Sequence, residues 1–414
     1  MTQRQEIIVV GAGVVGISIA LKLQAQGAHV RVFDRKHTVA AASLGNAGAF
    51  AFTDVIPLAT PGIMRKAPKW LLDPMGPLSV PPSYALKIAP WMLRFWRASW
   101  QDRYHASVEA QTRLMELSRA ALERQIAEVE GETLIQREGQ LQLYEGEQEF
   151  SASLESWNLR LRHGVEFNLL ASAQAIAEIQ PGLHQRFTHA VFTPDWLNTT
   201  DPKAWFEHLA QQFCDRGGVI EQANVMSISG HPDKAVVVTP EGKQEAHKVV
   251  VAAGAWSHHL TRTLGDKIPL ETERGYNTTL PKGAFDLRTH LTFGGHGFVV
   301  SKIAGGVRVG GAVELGGLAL PPNYKRAEIL LQKAAQFLPD LDTKGGTQWM
   351  GFRPSMPDSL PVIGPARNSA HVIYAFGRGH LGLTQSAGTA ELVANLVSNK
   401  PPAIPIGAYS PNRF

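Results

Sequence analysis

The distribution of hydrophobic and polar residues predicts alternating strands and helices at the start of the chain. Residues 7–10 (Ile-Ile-Val-Val) form a β-branched run that is typical of a buried parallel strand. Apolar side chains then recur at helical spacing from Val14 to Leu23, and Gly27 ends the predicted helix. A second strand-forming run, residues 30–33, leads to Asp34. This part of the chain therefore predicts a strand–helix–strand unit.

The turn between the first strand and the helix carries three glycines at fixed spacing. Gly11 permits a tight turn, Gly13 lets the backbone approach a diphosphate, and Gly16 lets the helix pack closely on the strand. The N-terminus of the helix favours an anion because its N–H groups are unpaired. A carboxylate at Asp34 can bind both hydroxyls of an adenosine ribose and would repel the 2′-phosphate of NADP. The pattern predicts a dinucleotide site and leaves FAD and NAD open.

The same alternation continues in the second half of the chain. Asp201 followed by proline is typical of a helix start, and this helix is predicted to run to Asp215. A strand is predicted over residues 218–229. Residues 248–257 predict a late strand of the same sheet that ends in a small-residue turn at Gly254.

Two segments between these units have a different pattern. Residues 139–144 alternate with period two, which predicts an antiparallel strand with one solvated face. Residues 104–130 carry apolar side chains at helical spacing, which predicts a long amphipathic helix. A length of 414 residues allows two or three domains with a large core.

Composition and charge exclude several classes of protein. Lys and Arg exceed Asp and Glu by 40 to 36, and this net charge of +4 is too small to predict an anionic partner. The single cysteine, Cys214, forms neither an intrachain disulfide nor a zinc cage, which favours a reducing, cytoplasmic compartment and no metal site. Glycines interrupt the apolar segment 7–23, so it predicts neither a signal peptide nor a membrane span.

Three further motifs carry a family resemblance. Residues 351–364 read GFRPSMPDSLPVIG, residues 377–384 read GRGHLGLT, and Asn-Ala-Gly occupies 46–48. With the glycine turn, these strings resemble the FAD-dependent D-amino acid oxidase superfamily, and within it the bacterial D-amino acid dehydrogenases. The resemblance extends over nearly the whole chain. It implies FAD as the cofactor, and D-proline and hydroxyproline are among the candidate substrates.

The resemblance also implies an α/β fold with two interleaved domains. A glutathione-reductase-like Rossmann FAD-binding domain is expected from residues 1–50, 195–262 and 350–414. An α+β substrate domain with an antiparallel sheet is expected from residues 51–194 and 263–349.

Three residues are candidates for the catalytic site. By the resemblance, Arg353 of the Gly-Phe-Arg-Pro string binds the substrate carboxylate, for which a guanidinium offers a planar pair of donors. The alternative is a structural arginine that bridges two loops. Tyr276 is expected as a lid or wall of the site, with packing as its alternative. Family members often have another residue where this chain has His380. The alternative to a catalytic role is a loop histidine whose hydrogen bonds are satisfied within the protein.

The expected cofactor-binding residues come from the glycine turn and the family motifs. Backbone N–H groups of residues 377–384 are expected to face flavin N1 and its C2 carbonyl, where negative charge grows on reduction. The complete expected set is Gly11, Gly13, Val14, Val15, Gly16, Asp34, Arg35, Ser43, Asn46, Ala47, Gly48, Val225, Ala253, Gly254, Gly377, Gly379, His380, Leu381, Gly382, Leu383 and Thr384.

The implied reaction is hydride transfer from the α-carbon of a D-amino acid to flavin N5. The imine then hydrolyses to a 2-oxo acid and ammonia, or stays a cyclic imine. No side chain need remove the α-proton, so the lack of a Ser/His/Asp constellation is expected. A covalent flavin link through Cys214 is not expected, because this residue falls in a predicted helix away from the flavin motifs.

The composition of residues 61–100 leads to a hypothesis about the electron acceptor. They hold four tryptophans, seven prolines and six basic residues, with Asp73 as the single acid. This composition suits peripheral contact with anionic lipid at the inner face of the plasma membrane, near a quinone. The alternative is that this segment forms a helix and loop that cover the substrate domain, with the tryptophans buried against it. An oxygen-using amine oxidase and a flavin module of an RNA-modifying protein are alternative functions. Nucleic acid binding is disfavoured, because no basic stripe is visible outside residues 61–100 and the tryptophans and prolines of that segment suit lipid or a protein core better.

Overall fold

The computed structural model describes residues 6–35, 41–65, 76 and 78–414. A six-stranded sheet forms the first structural layer. From one edge to the other its strands are β10 (Val219–Gln222), β2 (His29–Asp34), β1 (Glu6–Val10), β14 (Lys248–Val251), β21 (Ser369–Phe376) and β20 (Val362–Ala366). The first five are mutually parallel and β20 is antiparallel to β21. The parallel strands therefore end at one common edge.

Helices cover one face of this sheet and a small sheet covers the other. The helical layer shares one hydrophobic core and contains α1 (Val14–Ala25), α4 (Gln101–Glu128), α7 (Pro202–Asp215) and α10 (Ser386–Val397). On the opposite face lies an antiparallel sheet of β11 (Ser227–Gly230), β12 (Ala235–Thr239) and β13 (Gly242–Ala246), with α8 (Ser257–Thr263) beside it. This is the layered arrangement of a doubly covered parallel sheet.

A larger, mostly antiparallel sheet forms the second body of the fold. Its path is β7 (Asn168–Leu170), β8 (His189–Thr193), β6 (Gln140–Tyr144), β16 (His290–Phe293), β17 (Phe298–Ile303), β18 (Gly306–Leu315), β15 (Glu271–Leu280) and β19 (Thr347–Ser355), with β4 (Leu78–Ser79) paired to β18. Its second core involves α6 (Ala173–Ile179) and α9 (Lys325–Phe337).

Smaller elements complete the described fold. The remaining helices are α2 (Ala41–Leu44), α3 (Ala85–Ala98) and α5 (Glu147–Arg162), and β3 (Ala49–Phe50), β9 (Leu197–Thr199) and β5 (Ile135–Gln136) form a small sheet. Single 3-10 turns occupy Pro82–Tyr84, Glu132–Leu134, Gly254–Trp256, Gly294–His296, Gly379–Leu381, Gly407–Tyr409 and Pro411–Arg413. In the described ranges, no helix combines the length and the apolar character that crossing a membrane requires.

The predicted strand–helix–strand unit is confirmed by β1, α1 and β2. The helix predicted after Asp201 is also confirmed, because the Asp201 carboxylate accepts a hydrogen bond from the Lys203 N–H at 2.9 Å. The long helix predicted over 104–130 is α4. Its buried side chains lie in the core that α1 and α10 share, although its sequence falls in the range 51–194. The proposed domain ranges stay a prediction.

Two expectations require correction. Residues 218–229 form two strands in different sheets, β10 and β11, because the connecting segment bonds elsewhere: the Ala223 N–H donates to the Asp34 carbonyl and the Met226 N–H to the Val238 carbonyl. The strand β6 lacks the expected solvated face. It lies inside the large sheet, and α5 packs against Tyr144 on the side that was expected to be wet.

Candidate active site

The predicted cofactor motifs converge on one edge of the six-stranded sheet. Gly11 follows β1, Asp34 ends β2, Ala253 follows the end of β14, and Gly377 follows β21. These four strands are adjacent and parallel, so their carboxyl ends lie side by side. In open α/β sheets ligands bind outside this edge.

The glycine turn has the backbone geometry that the sequence predicts. Gly11 has φ +111°, and a Cβ there would lie 2.7 Å from the Ala252 carbonyl carbon. A Cβ on Gly16 would overlap the Gly11 carbonyl oxygen, so the helix approaches the turn only because Gly16 has no side chain. The Ala12 N–H donates to Asp34 Oδ2 at 2.8 Å, which holds this carboxylate beside the turn. Gly13 is the N-cap of α1.

Side chains from α2 and the following loop surround the start of α1. The Val14 N–H donates to Ser43 Oγ at 2.9 Å. The Asn46 amide donates to the Ser43 carbonyl and accepts from the Gly48 N–H, each at 2.8 Å. Val15 is half-buried on α1, and Ala47 lies within this bonded loop.

The loop of residues 377–384 is tied to the same region. The Ala51 N–H donates to Thr384 Oγ1 at 3.0 Å, which links this loop to the segment after β3. Gly377 and Gly379 have positive φ angles of +86° and +53°. A Cβ on Gly382 would meet no atom within 4 Å, so space remains open beside the loop. Leu381 and Leu383 are buried in the helical core.

A stacked pair lies next to the end of β2. The Arg35 guanidinium lies 3.7 Å from the centre of the Trp256 ring, whose edge contacts Phe352 at 5.6 Å between centroids. Gly254 has φ +54° with open space around it, and Val225 packs half-buried beside the end of β2.

The large sheet holds the 45–48 loop from the other side. The Asn277 amide donates to the Gly45 carbonyl at 2.7 Å, and Arg308 donates from Nη1 to the Asn46 carbonyl at 2.5 Å. The Trp349 ring lies directly against Gly45, where a Cβ would stand 2.6 Å from its Cζ2 atom. The sequence analysis missed these three side chains because nothing in the sequence shows which face of β15, β18 or β19 meets the loop.

Arg353 lies on this same face of the large sheet. Its guanidinium covers the backbone of Gly275 on the neighbouring strand, where a Cβ would stand 2.5 Å from Arg353 Cζ. It donates from Nη1 to the Ala312 carbonyl at 3.0 Å, and Ala312 has a strained φ of +58°. Burial lowers the pKa of Arg353, and the charge of Glu273 opposes that shift.

Within the described ranges no carboxylate lies within ion-pair distance of this guanidinium, and the charge of Glu273 acts on it from the directly opposite position on the neighbouring strand. The ion pairs found there do not include Arg353, and Ala312 supplies its one hydrogen bond. A guanidinium has five N–H donors. Arg353 therefore keeps donors for a ligand that carries a carboxylate, and its role stays a prediction.

His380 is close to a second charged group. Its Nε2 atom lies 3.6 Å from Asp54 Oδ2. Burial tends to raise the pKa of Asp54, but the hydrogen bond with His380 and the positive charges of His380 and Arg160 outweigh it, so the pKa lies below its usual range. Asp54 was not among the predicted site residues.

Tyr276 lies on the opposite face of the large sheet. It is 1% exposed, its hydroxyl donates to Glu314 Oε2 at 3.0 Å, and the Asn323 N–H donates to that hydroxyl at 3.0 Å. Burial, reinforced by Glu314, raises the pKa of Tyr276. The Tyr276 phenol therefore lies on the other side of the sheet from Arg353. Its buried surroundings match the alternative in which Tyr276 is a packing residue.

The dinucleotide turn and the sheet face that carries Arg353 are joined through the 45–48 loop, an arrangement that defines the class of a nucleotide-dependent oxidoreductase. Residues 6–396 match the family model described as DAO, FAD dependent oxidoreductase, and the chain belongs to this family. FAD is accordingly its cofactor. The glycine turn and Asp34 fit this group, because Gly16 lets α1 approach the turn closely and the Ala12 N–H holds the Asp34 carboxylate beside it. Gly382 of the 377–384 loop borders open space.

Named relatives align over the full chain. A D-amino-acid oxidase of Bradyrhizobium diazoefficiens is 36% identical over 100% of both chains. A D-amino acid dehydrogenase of Chromohalobacter salexigens is 30% identical and covers 97% of this chain and 98% of its own length. A glycine oxidase structure from Geobacillus kaustophilus superposes with a TM-score of 0.79 at 21% identity, covering 100% of both chains, which confirms the predicted fold class.

Proposed function

We propose that this protein catalyses the oxidative deamination of D-amino acids. The observation that carries the proposal is the Arg353 guanidinium, which has free donors on the sheet face that meets the cofactor loops. When bound, FAD supplies the acceptor for the hydride of the α-carbon. The names of the two full-length relatives support D-amino acids as the substrate class.

Arg353 binds and orients the substrate carboxylate. Charge-assisted, bidentate hydrogen bonds to a guanidinium fix the plane of a carboxylate and thereby the position of the α-carbon. The absence of a side chain at Gly275 leaves room for the guanidinium, and the hydrogen bond to the Ala312 carbonyl fixes the position of Nη1. The resulting imine leaves the protein and hydrolyses in water to a 2-oxo acid and ammonia, so no side chain is needed for that step. The role of His380 stays a prediction.

The test of this role is Arg353→Ala compared with Arg288→Ala. Arg288 lies at the surface and pairs with Asp286, so its loss should leave activity unchanged. We expect Arg353→Ala to retain bound FAD and to raise KM for D-amino acids roughly 30-fold or more, because a charge-paired contact is lost. The readout is 2-oxo acid formed per minute against substrate concentration. An unchanged KM would remove Arg353 from the site.

We further propose that electrons pass to a quinone at an anionic membrane surface contacted by α3. This helix exposes an apolar stripe in which Leu86 is 90%, Leu93 64% and Trp96 47% exposed, and Trp100, just after the helix, is also 47% exposed. The basic residues Lys87, Arg94 and Arg97 flank the stripe. Apolar and basic surface on one helix favours anionic lipid. Trp70 of the predicted segment, with residues 66–75 and 77, lies outside the described residues.

Vesicle flotation tests the membrane contact. The protein should float with vesicles that contain one-third phosphatidylglycerol and stay behind with pure phosphatidylcholine. Leu93→Glu should abolish flotation, whereas Leu169→Glu, which alters an exposed leucine on β7, should not. Equal flotation of both variants would contradict the assignment to α3.

Oxygen as acceptor is the second candidate, and the name of the Bradyrhizobium relative favours it. The two candidates differ in one product. Stoichiometric hydrogen peroxide during aerobic turnover supports the oxidase, whereas turnover that requires an added quinone and forms no peroxide supports the dehydrogenase.

A further inference from the structure

Two paired glycines on the large sheet are each covered by a flat side chain. Gly351 on β19 and Gly275 on β15 lie directly opposite each other, so a Cβ on each would point to the same face. The Arg353 guanidinium occupies this space above Gly275. The Trp349 indole occupies it above Gly351, where a Cβ would stand 2.6 Å from Cζ2 and 2.8 Å from Cζ3. The indole and the guanidinium therefore lie side by side on neighbouring strands.

The same indole also contacts the 45–48 loop. A Cβ on Gly45 would stand 2.6 Å from Trp349 Cζ2, so the half-buried indole fills the space between this loop and β19. Neither Gly45 nor Gly351 has a positive φ, so the backbone at both positions admits alanine. The indole is therefore what requires glycine at these two positions.

These contacts connect the dinucleotide turn to the strand that carries Arg353. The Val14 N–H at the start of α1 donates to Ser43 Oγ at 2.9 Å, which ties α2 and the loop after it to the turn. Gly45 of that loop lies on Trp349, and Trp349 lies on β19 itself. Close packing transmits a displacement along such a path, because its members leave no space to absorb it.

Hydrogen bonds from two other strands hold the loop against the indole. The Asn277 amide on β15 donates to the Gly45 carbonyl at 2.7 Å, and Arg308 on β18 donates to the Asn46 carbonyl at 2.5 Å. These bonds draw the loop towards the sheet, and the Trp349 ring limits how closely it approaches.

We propose that Trp349 is a positioning residue for the oxidation. It acts as a spacer between the 45–48 loop and β19, and so sets the distance between the bound cofactor and a substrate carboxylate on Arg353. This inference rests on the proposed function, because it takes Arg353 as the carboxylate site and the 45–48 loop as part of the FAD site. A misplacement of about 1 Å between reacting groups lowers rates roughly 100-fold.

Trp349→Leu separates alignment from binding. The ring is lost, while the hydrogen bond from Arg353 to the Ala312 carbonyl remains. We expect the limiting rate of anaerobic flavin reduction by a D-amino acid to fall roughly 10- to 100-fold. The Kd of propanoate, a carboxylate without an amine, should stay close to the wild type when it is measured by perturbation of the flavin absorption spectrum. An unchanged limiting rate, or a loss confined to the Kd, would overturn the proposal.

The matched control is Phe192→Leu. Phe192 is a half-buried aromatic residue of the same sheet that also lies on a glycine, Gly139, where a Cβ would stand 2.6 Å from its Cζ atom. Its strand, β8, is six strands away from β19. This variant should lower Tm and keep the limiting rate. An equal fall in rate in both variants would assign the effect to a general loss of packing and refute the spacer.

A second test needs no turnover. The Kd of FAD for the full-length apoprotein is measured by quenching of flavin fluorescence. Gly45→Ala should weaken FAD binding roughly 5- to 150-fold, because its Cβ overlaps the Trp349 indole and displaces the loop. In the Trp349→Leu background the same substitution should have little further effect, since the ring is gone. Additive losses would contradict the spacer role.

The two tests separate this inference from the proposed function. If D-amino acids fail to reduce the wild-type flavin, their oxidation is itself refuted, and the double-mutant cycle at Gly45 decides whether Trp349 positions the loop. If D-amino acids reduce the wild type and Trp349→Leu at equal limiting rates, the proposed function stands and the spacer role is refuted.

Discussion

Gly275→Ala tests whether the position of the Arg353 guanidinium matters for substrate binding, because it displaces the group without removing it. A Cβ at position 275 would stand 2.5 Å from Arg353 Cζ and 2.8 Å from Nε, so the two cannot coexist. The backbone at Gly275 does not have a positive φ, and alanine fits its conformation. The side chain of Arg353 must therefore move while the strand stays in place.

The size of the effect follows from the bonds at stake. Hydrogen bonds between charged groups contribute about 1.5–3 kcal/mol, which corresponds to roughly a 10- to 150-fold loss in affinity. We expect Gly275→Ala to raise KM by that factor while FAD binding and Tm stay close to the wild type. Gly407→Ala is the matched control, because a Cβ there would meet no atom within 4 Å.

A double-mutant cycle decides whether the effect acts through Arg353. If the alanine displaces the guanidinium, Gly275→Ala adds nothing once Arg353→Ala is present. The assay is KM for one D-amino acid in the wild type, both single variants and the double variant. Additive losses, or an unchanged KM in Gly275→Ala, would refute the reasoning.

Three further predictions address the cofactor turn, acid stability and the opposite sheet face. Gly16→Ala should abolish FAD retention, measured as the 450 nm absorbance of the purified protein, because a Cβ would overlap the Gly11 carbonyl; retained flavin would contradict this. Burial lowers the pKa of His290 to about 4, so the unfolded state binds more protons as pH falls below about 6.5, and the folded state loses roughly 2 kcal/mol between pH 7 and 5. His290→Gln should reduce that loss in thermal unfolding curves, and an identical pH dependence would exclude His290 as its source. Tyr276→Phe should lower the free energy of unfolding by about 1 kcal/mol through the lost bond to Glu314 and leave KM unchanged, whereas a raised KM would restore Tyr276 to the site.

Local chemistry explains what the sequence could predict. The first strand–helix–strand unit and the helix after Asp201 depend on glycine positions, apolar spacing and a cap, all of which lie within short segments. The motifs after β14 and β21 could be placed at one edge because parallel strands share an end. These features do not depend on how distant strands pair.

Long-range pairing explains what could not be predicted. Glu273 and Gly275 acquire their relation to Arg353 only from the register between β15 and β19, which are far apart in sequence. The same register sends Tyr276 to the opposite face, since side chains alternate along a strand. The contact of Asp54 with His380 likewise joins residues more than three hundred positions apart. Nothing in the local pattern marks such pairs.

Anaerobic titration of the purified flavoprotein with paired enantiomers tests the central claim most directly. With oxygen and quinone absent, the 450 nm band of the flavin should bleach on addition of a D-amino acid and persist with the L-enantiomer at the same concentration. In Arg353→Ala the same bleaching should require a much higher concentration of the D-form. Bleaching by the L-form alone, or bleaching that is independent of Arg353, would contradict the account.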